Sequence, residues 1–88
     1  MKVLNTDIQL YKGVPLRQIV REDYHVKKAR RFVLNDTNQN VWIPCQYLEA
    51  DGTLRPNINI DFVFFKSKKK FERAGIKELY KQFKKPNF

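Results

Sequence analysis

Lys68-Lys69-Lys70, followed by Arg73, Lys77, Lys81 and Lys84 at steps of three or four residues, is the stretch whose residue types and spacing could do chemistry. Steps of that size follow the helical turn, so on a helix these cations form one positive stripe, which backbone phosphates attract. Ser67 stands where a helix N-cap would, placing Lys68, Lys69 and Lys70 in the first turn. The macrodipole favours negative charge there, and conflicts between local preference and fold tend to mark functional positions. The free N–H groups of a helix start, together with three ammonium groups, would suit a phosphate. A plain solvated face is the competing reading, because charge runs are common on surfaces. A second group, Lys27, Lys28, Arg30 and Arg31, interrupts an apolar stretch. In extended chain Lys27 and Arg31 share one face with Ala29, while Lys28 and Arg30 share the other.

The charge is concentrated in these two places. Of 88 residues, 18 are Lys or Arg and 9 are Asp or Glu, a net charge of +9. Residues 66–85 carry nine bases and two acids (+7), and residues 27–31 carry four bases (+4), so the remainder sums to −2. A charge serving solubility alone would be spread more evenly.

Other chemistries lack their parts. His25 is the single histidine, which rules out a His-based zinc site or a catalytic triad from this chain alone. Cys45 has no second thiol, so no disulfide forms, and it reads as a small buried or half-buried residue of a protein in a reducing cytoplasm. Glu22 and Asp23 are adjacent and would be expected to point apart. Asp36-x-Asn38-x-Asn40 begins like a calcium loop, but Val41 replaces the required glycine and Tyr47 the terminal glutamate. Three glycines cannot build a phosphate-cradling loop. No enzyme, metal or cofactor is expected. No apolar run approaches the ~18 residues of a membrane span.

The elements that would position the cations read as an α+β domain covering residues 1–88. Residues 58–65 alternate Ile58, Ile60, Phe62 and Phe64 with Asn57, Asn59, Asp61 and Val63 and predict a central strand with Phe62 facing a helix. Residues 41–48 predict a second strand qualified by Pro44, and residues 26–34 a third, forming a hairpin around the polar turn 36–40. Residues 68–85 project on a helical wheel with Phe71, Ile76, Leu79, Tyr80 and Phe83 on one side and the cations on the other. The expectation is an antiparallel meander of three or four strands within residues 24–66, packed by a C-terminal amphipathic helix over 67–85, with a tail at 86–88. In the first 23 residues, Leu4, Ile8 and Leu10 suggest a strand ended by Gly13-Val14-Pro15, and residues 17–24 a short helix. Trp42 reads as a core or hairpin anchor. Tyr11, Tyr24, Tyr47, Tyr80 and Phe88 are candidates for stacking bases, though a domain this small needs most aromatics for its core.

The order of a short helix, three antiparallel strands and a last helix, with the run Ser67-Lys68-Lys69-Lys70-Phe71-Glu72-Arg73-Ala74-Gly75, resembles a double-stranded-RNA-binding domain. The outline spans residues 16–84 and the detail only 67–75. The resemblance implies that Lys68, Lys69 and Lys70 grip phosphates across a groove. Phe71 and Glu72 depart from the small and basic residues of that family, and its loop pattern is absent from residues 35–40. Taken together, the residues point to sequence-tolerant binding of DNA or RNA through phosphates by Lys27, Lys28, Arg30, Arg31, Lys68, Lys69, Lys70, Arg73, Lys77, Lys81 and Lys84. The alternative is a non-enzymatic module, an inhibitor or regulatory subunit that contacts an acidic protein surface, of the kind suited to mobile genetic elements.

Overall fold

Four short strands in sequence order make one open antiparallel sheet, and three short helices follow it. This computed structural model describes residues 3–21 and 27–83. The strands are β1 (Gln9–Tyr11), β2 (Val14–Gln18), β3 (Ala29–Leu34) and β4 (Asn40–Pro44). The helices are α1 (Asp61–Phe64), α2 (Lys68–Arg73) and α3 (Lys77–Tyr80), the last running into a 3-10 turn over Lys81–Phe83. The α+β meander is therefore present, but half of the sheet comes from the first quarter of the chain.

Lys12 and Gly13, at φ 51° and 85°, form the tight turn between β1 and β2. Positive φ at both central residues is the hairpin turn whose twist suits its strands. Glycine thus joins two strands here and does not end one, and Arg17 and Gln18 belong to β2 rather than to a helix. Ile19, Val20 and Arg21 are not helical either, while residues 22–24 of the expected helix, like Val26 of the expected third strand, lie outside the described residues. Asn35 and Asp36, also at positive φ, turn β3 into β4. β4 stops at Pro44, and Cys45–Tyr47 continue as a 3-10 turn, so the strand expected over 41–48 ends four residues early.

β4 is an edge strand. The Leu34 amide donates to Gln39 O and the Cys45 amide to Lys28 O, so residues 39, 41, 43 and 45 direct their backbone groups toward β3. By the alternation of an antiparallel ladder, Asn40, Trp42 and Pro44 direct theirs off the edge. Pro44 has no N–H, and Lys70 Nζ donates to Asn40 O at 2.9 Å.

The central-strand expectation for residues 58–65 is overturned. Asn57 sits at φ 59°, Asn59 Oδ1 accepts from the Asp61 amide at 3.0 Å, and the chain then turns helical. The buried positions explain why: Ile60, Phe64, Ser67 and Phe71 recur at steps of four, three and four, the helical period. Phe62 falls outside that series and is half exposed against Tyr47.

The single helix expected over 67–85 is also corrected. Gly75 adopts φ 76°, the Ile76 amide donates to Phe71 O at 2.9 Å and the Gly75 amide to Glu72 O at 3.1 Å. These two bonds are the Schellman ending of a helix, in which glycine takes the left-handed position at no steric cost. Asn35 Nδ2 caps the Ala74 carbonyl at 2.8 Å. Four strands precede three helices, and no helix stands ahead of the strands among the described residues, so the double-stranded-RNA-binding outline does not describe this fold.

The core lies between the inner sheet face and the helices. Val14, Leu16, Phe32, Leu34, Val41 and Ile43 from the sheet meet Ile60, Phe64, Phe71 and Phe83. Phe64, Phe71 and Phe83 touch pairwise, with ring centroids 4.9–5.8 Å apart. Such pairs add to the large apolar area each ring buries. At one end of the sheet the buried Gln18 accepts from Arg30 and donates to Asn5 O and Asp51 O, each at 2.9 Å. Gly52 must be glycine there, since a Cβ would lie 2.1 Å from the Gln18 amide.

Candidate nucleic-acid interface

The break at Gly75 shapes the main lysine cluster. In an unbroken helix Lys68 and Lys81 would stand ~20 Å apart along the axis at 1.5 Å per residue. With the chain turned at Gly75, Lys68 at the start of α2 and Lys77 and Lys81 around α3 line one indentation of about 220 Å³. Tyr80 completes its lining, and the Tyr80 hydroxyl donates to the Phe65 carbonyl. Among the described residues no carboxylate borders it. The turn thus brings three lysine side chains around one indentation whose exposed surface is almost wholly apolar, lysine methylenes and the Tyr80 ring, and the charge these lysines carry can attract a phosphate.

Lys69 and Arg73 are exposed on α2, outside that lining. Lys70 lies toward the sheet, on the Asn40 carbonyl at one end of β4. Lys27 and Lys28 are exposed at the other end, beside Pro44 and Cys45. Four residues of strand separate those ends, ~13 Å at 3.3 Å per residue. The two basic groups therefore flank one edge strand.

Arg30 and Arg31 are placed differently. The Arg30 guanidinium donates to Gln18 Oε1 at 2.9 Å and to Ala50 O at 2.8 Å, tying β3 to the turn near Gly52. Arg31 pairs across the ladder with Trp42 on the outer face of the sheet. Lys84 lies outside the described residues, as do His25, Glu22 and Asp23. Cys45 is half-buried, with Sγ 3.8 Å from Lys27 O.

Three of the seven described acids are held in ion pairs, while Glu72 and Glu78 stand exposed on α2 and α3, among the lysines in sequence. Ion pairs among the described residues join Lys12 to Asp61 at 2.8 Å, Arg17 to Asp36 at 2.8 Å and Arg55 to Glu49 at 3.9 Å. The hydrogen bond from Arg17 holds the Asp36 carboxyl below its usual range. None of these pairs draws a cation from residues 66–83. Among the described residues no group of three or more His, Cys, Asp or Glu could hold a metal ion. No helix among them is long and apolar enough to cross a membrane.

Two residues of the candidate interface do not stand out in the sequence as cation or stacking sites. Trp42 stands on the outer face of the sheet, 41% exposed, between the buried Val41 and Ile43. Arg21 places its guanidinium carbon 5.4 Å from the Trp42 ring centroid. The signal for Trp42 is the alternation itself, which puts it on the face opposite its two apolar neighbours. In comparison with known proteins, no family model matches this chain, and neither the curated proteins nor the solved structures include a significant match.

Proposed function

We propose that the chain, acting as one domain, binds nucleic acid through its backbone phosphates and tolerates many sequences. The observation that carries this reading is the convergence of Lys68, Lys77 and Lys81 on one indentation that no carboxylate of the described residues borders. Ammonium groups are point charges without directional base-reading geometry, which suits phosphate contact more than sequence readout. The exposed Lys27, Lys28, Lys69 and Arg73 widen the positive surface. Arg30 supports it from within. A reducing cytoplasm, where Cys45 stays a thiol, is the compartment this reading assumes.

The test is a salt titration of binding to several unrelated nucleic acids. Changing Lys68, Lys77 and Lys81 together to Gln should weaken all of them by similar factors. The plot of log affinity against log salt should flatten by about 0.7–0.9 for each phosphate that is no longer neutralised. Wild-type protein that fails to retain any nucleic acid at low salt, or a triple variant with unchanged slope, would refute the proposal. The same cations would then belong to a contact with an acidic protein.

A further inference from the structure

We infer that the outer face of the sheet around Trp42 is a stacking platform for the bases of a single-stranded nucleic acid. This rests on the reading of the lysines as phosphate-binding and adds to it the strandedness of the ligand.

Trp42 is the one tryptophan of the chain, and it stands on the side of the sheet away from the helices. The strand buries its neighbours, Val41 at 3% exposure and Ile43 at 0%, and alternation turns Trp42 to the opposite face. A half-exposed indole forgoes part of the stabilisation its large apolar area could supply, and what it offers in return is aromatic surface exposed to solvent.

The surroundings fit a nucleotide. Trp42 forms a shallow depression of about 520 Å³ with Lys27, Lys28, Ala29 and Pro44, within the ~300–1,000 Å³ usual for small-ligand sites. Among the described residues its lining pairs a flat aromatic with two cations and no acid. The Arg21 guanidinium over the ring is a cation–π contact that steadies the indole and adds positive charge beside it. Bases present π-faces and phosphates present charge, and this depression matches both.

The π-face selects the strand state. In a duplex each base is covered above and below by its neighbours, so an indole fixed on a rigid sheet has nothing to stack against. Unpaired bases splay out and stack on such rings whatever their identity. A single strand lying on β4 would meet Lys27 and Lys28 at one end and Lys70 at the other.

Because Trp42 is the only tryptophan, its fluorescence reports this face alone. Titration with an oligothymidine should quench it, whereas a duplex of equal phosphate content should leave it nearly unchanged. Trp42→Ala should weaken single-strand binding by about 5- to 150-fold, the range for removing one stacked base, without altering the salt slope. Trp42→Phe, which keeps a π-face, should retain more affinity than Trp42→Leu, and that comparison holds even if the alanine variant folds poorly. Unmoved fluorescence with binding intact, or equal affinity in the Phe and Leu variants, overturns this inference and leaves the phosphate reading standing. No retention of either strand form at low salt overturns both.

Discussion

Asp61 joins three parts of the chain through one carboxylate. It accepts from the Tyr11 hydroxyl at 2.5 Å and from Lys12 Nζ at 2.8 Å, while the Tyr11 oxygen accepts from the Ile60 amide at 3.0 Å. Burial pushes its pKa up, but the hydrogen bonds from Lys12 and Tyr11 outweigh burial, and the net shift is downward. A carboxyl whose folded pKa is depressed contributes stability above its unfolded value, near ~3.9, and loses that contribution as pH falls through the folded pKa. Asp36 and Asp51, both lowered by side-chain hydrogen bonds, act in the same direction. Thermal melts should therefore hold steady from about pH 7 to about pH 5 and drop below about pH 4. Asp61→Asn should cost about 1–2 kcal/mol at neutral pH, since hydrogen bonds to charged groups exceed neutral ones. The gap between variant and wild type should close in acid; a gap independent of pH would show that the charge of Asp61 is idle. None of this was legible in the sequence, because Tyr11 and Lys12 lie some fifty positions from Asp61 and only the folded chain brings them together.

Elements were legible where one pattern had one interpretation. The β3–β4 hairpin follows from β-formers on either side of a polar turn, and its register pairs Phe32 with Val41 in the core. Residues 58–65 carried two interpretations. Over eight residues, Ile58, Ile60, Phe62 and Phe64 alternate as a strand would, while Ile60 and Phe64 also sit one helical turn apart. Only the longer series through Ser67 and Phe71 decides for the helix, and the left-handed Asn57 shows where the extended reading fails. The energetic consequence is specific. Phe64, fully buried between Tyr11, Phe71 and Phe83, should cost about 3–5 kcal/mol when changed to Ala. Phe62→Ala should cost about 1 kcal/mol or less, since half the ring is already in water. Urea unfolding of both variants measures this, and a reversed order would restore the strand. The lysine site was legible as residues but not as a place. The helical wheel spreads Lys68, Lys77 and Lys81 along one straight axis, and it takes the turn at Gly75 to bring them to one indentation.

At the scale of the whole molecule, a charge of +9 on 88 residues opposes compaction by self-repulsion. Added salt should relieve it, because the screening length shrinks from ~30 Å at 0.01 M to ~8 Å at 0.15 M. The melting temperature should thus rise over that interval in calorimetry. A flat or falling curve would mean that pairs such as Arg17–Asp36 outweigh the repulsion. The same charge keeps copies of the chain apart, and a polyanion that covers it removes that barrier while crowding many copies along one strand. An open sheet is then a hazard, since a free edge can template strand after strand into fibres. β4 is poorly suited to that growth. Pro44 offers no donor and Lys70 occupies the carbonyl of Asn40, so Trp42 alone among its outward residues keeps both a backbone donor and an acceptor for a neighbour. One residue cannot start a ladder, so neutralised molecules held side by side on a polyanion would not zip together through β4.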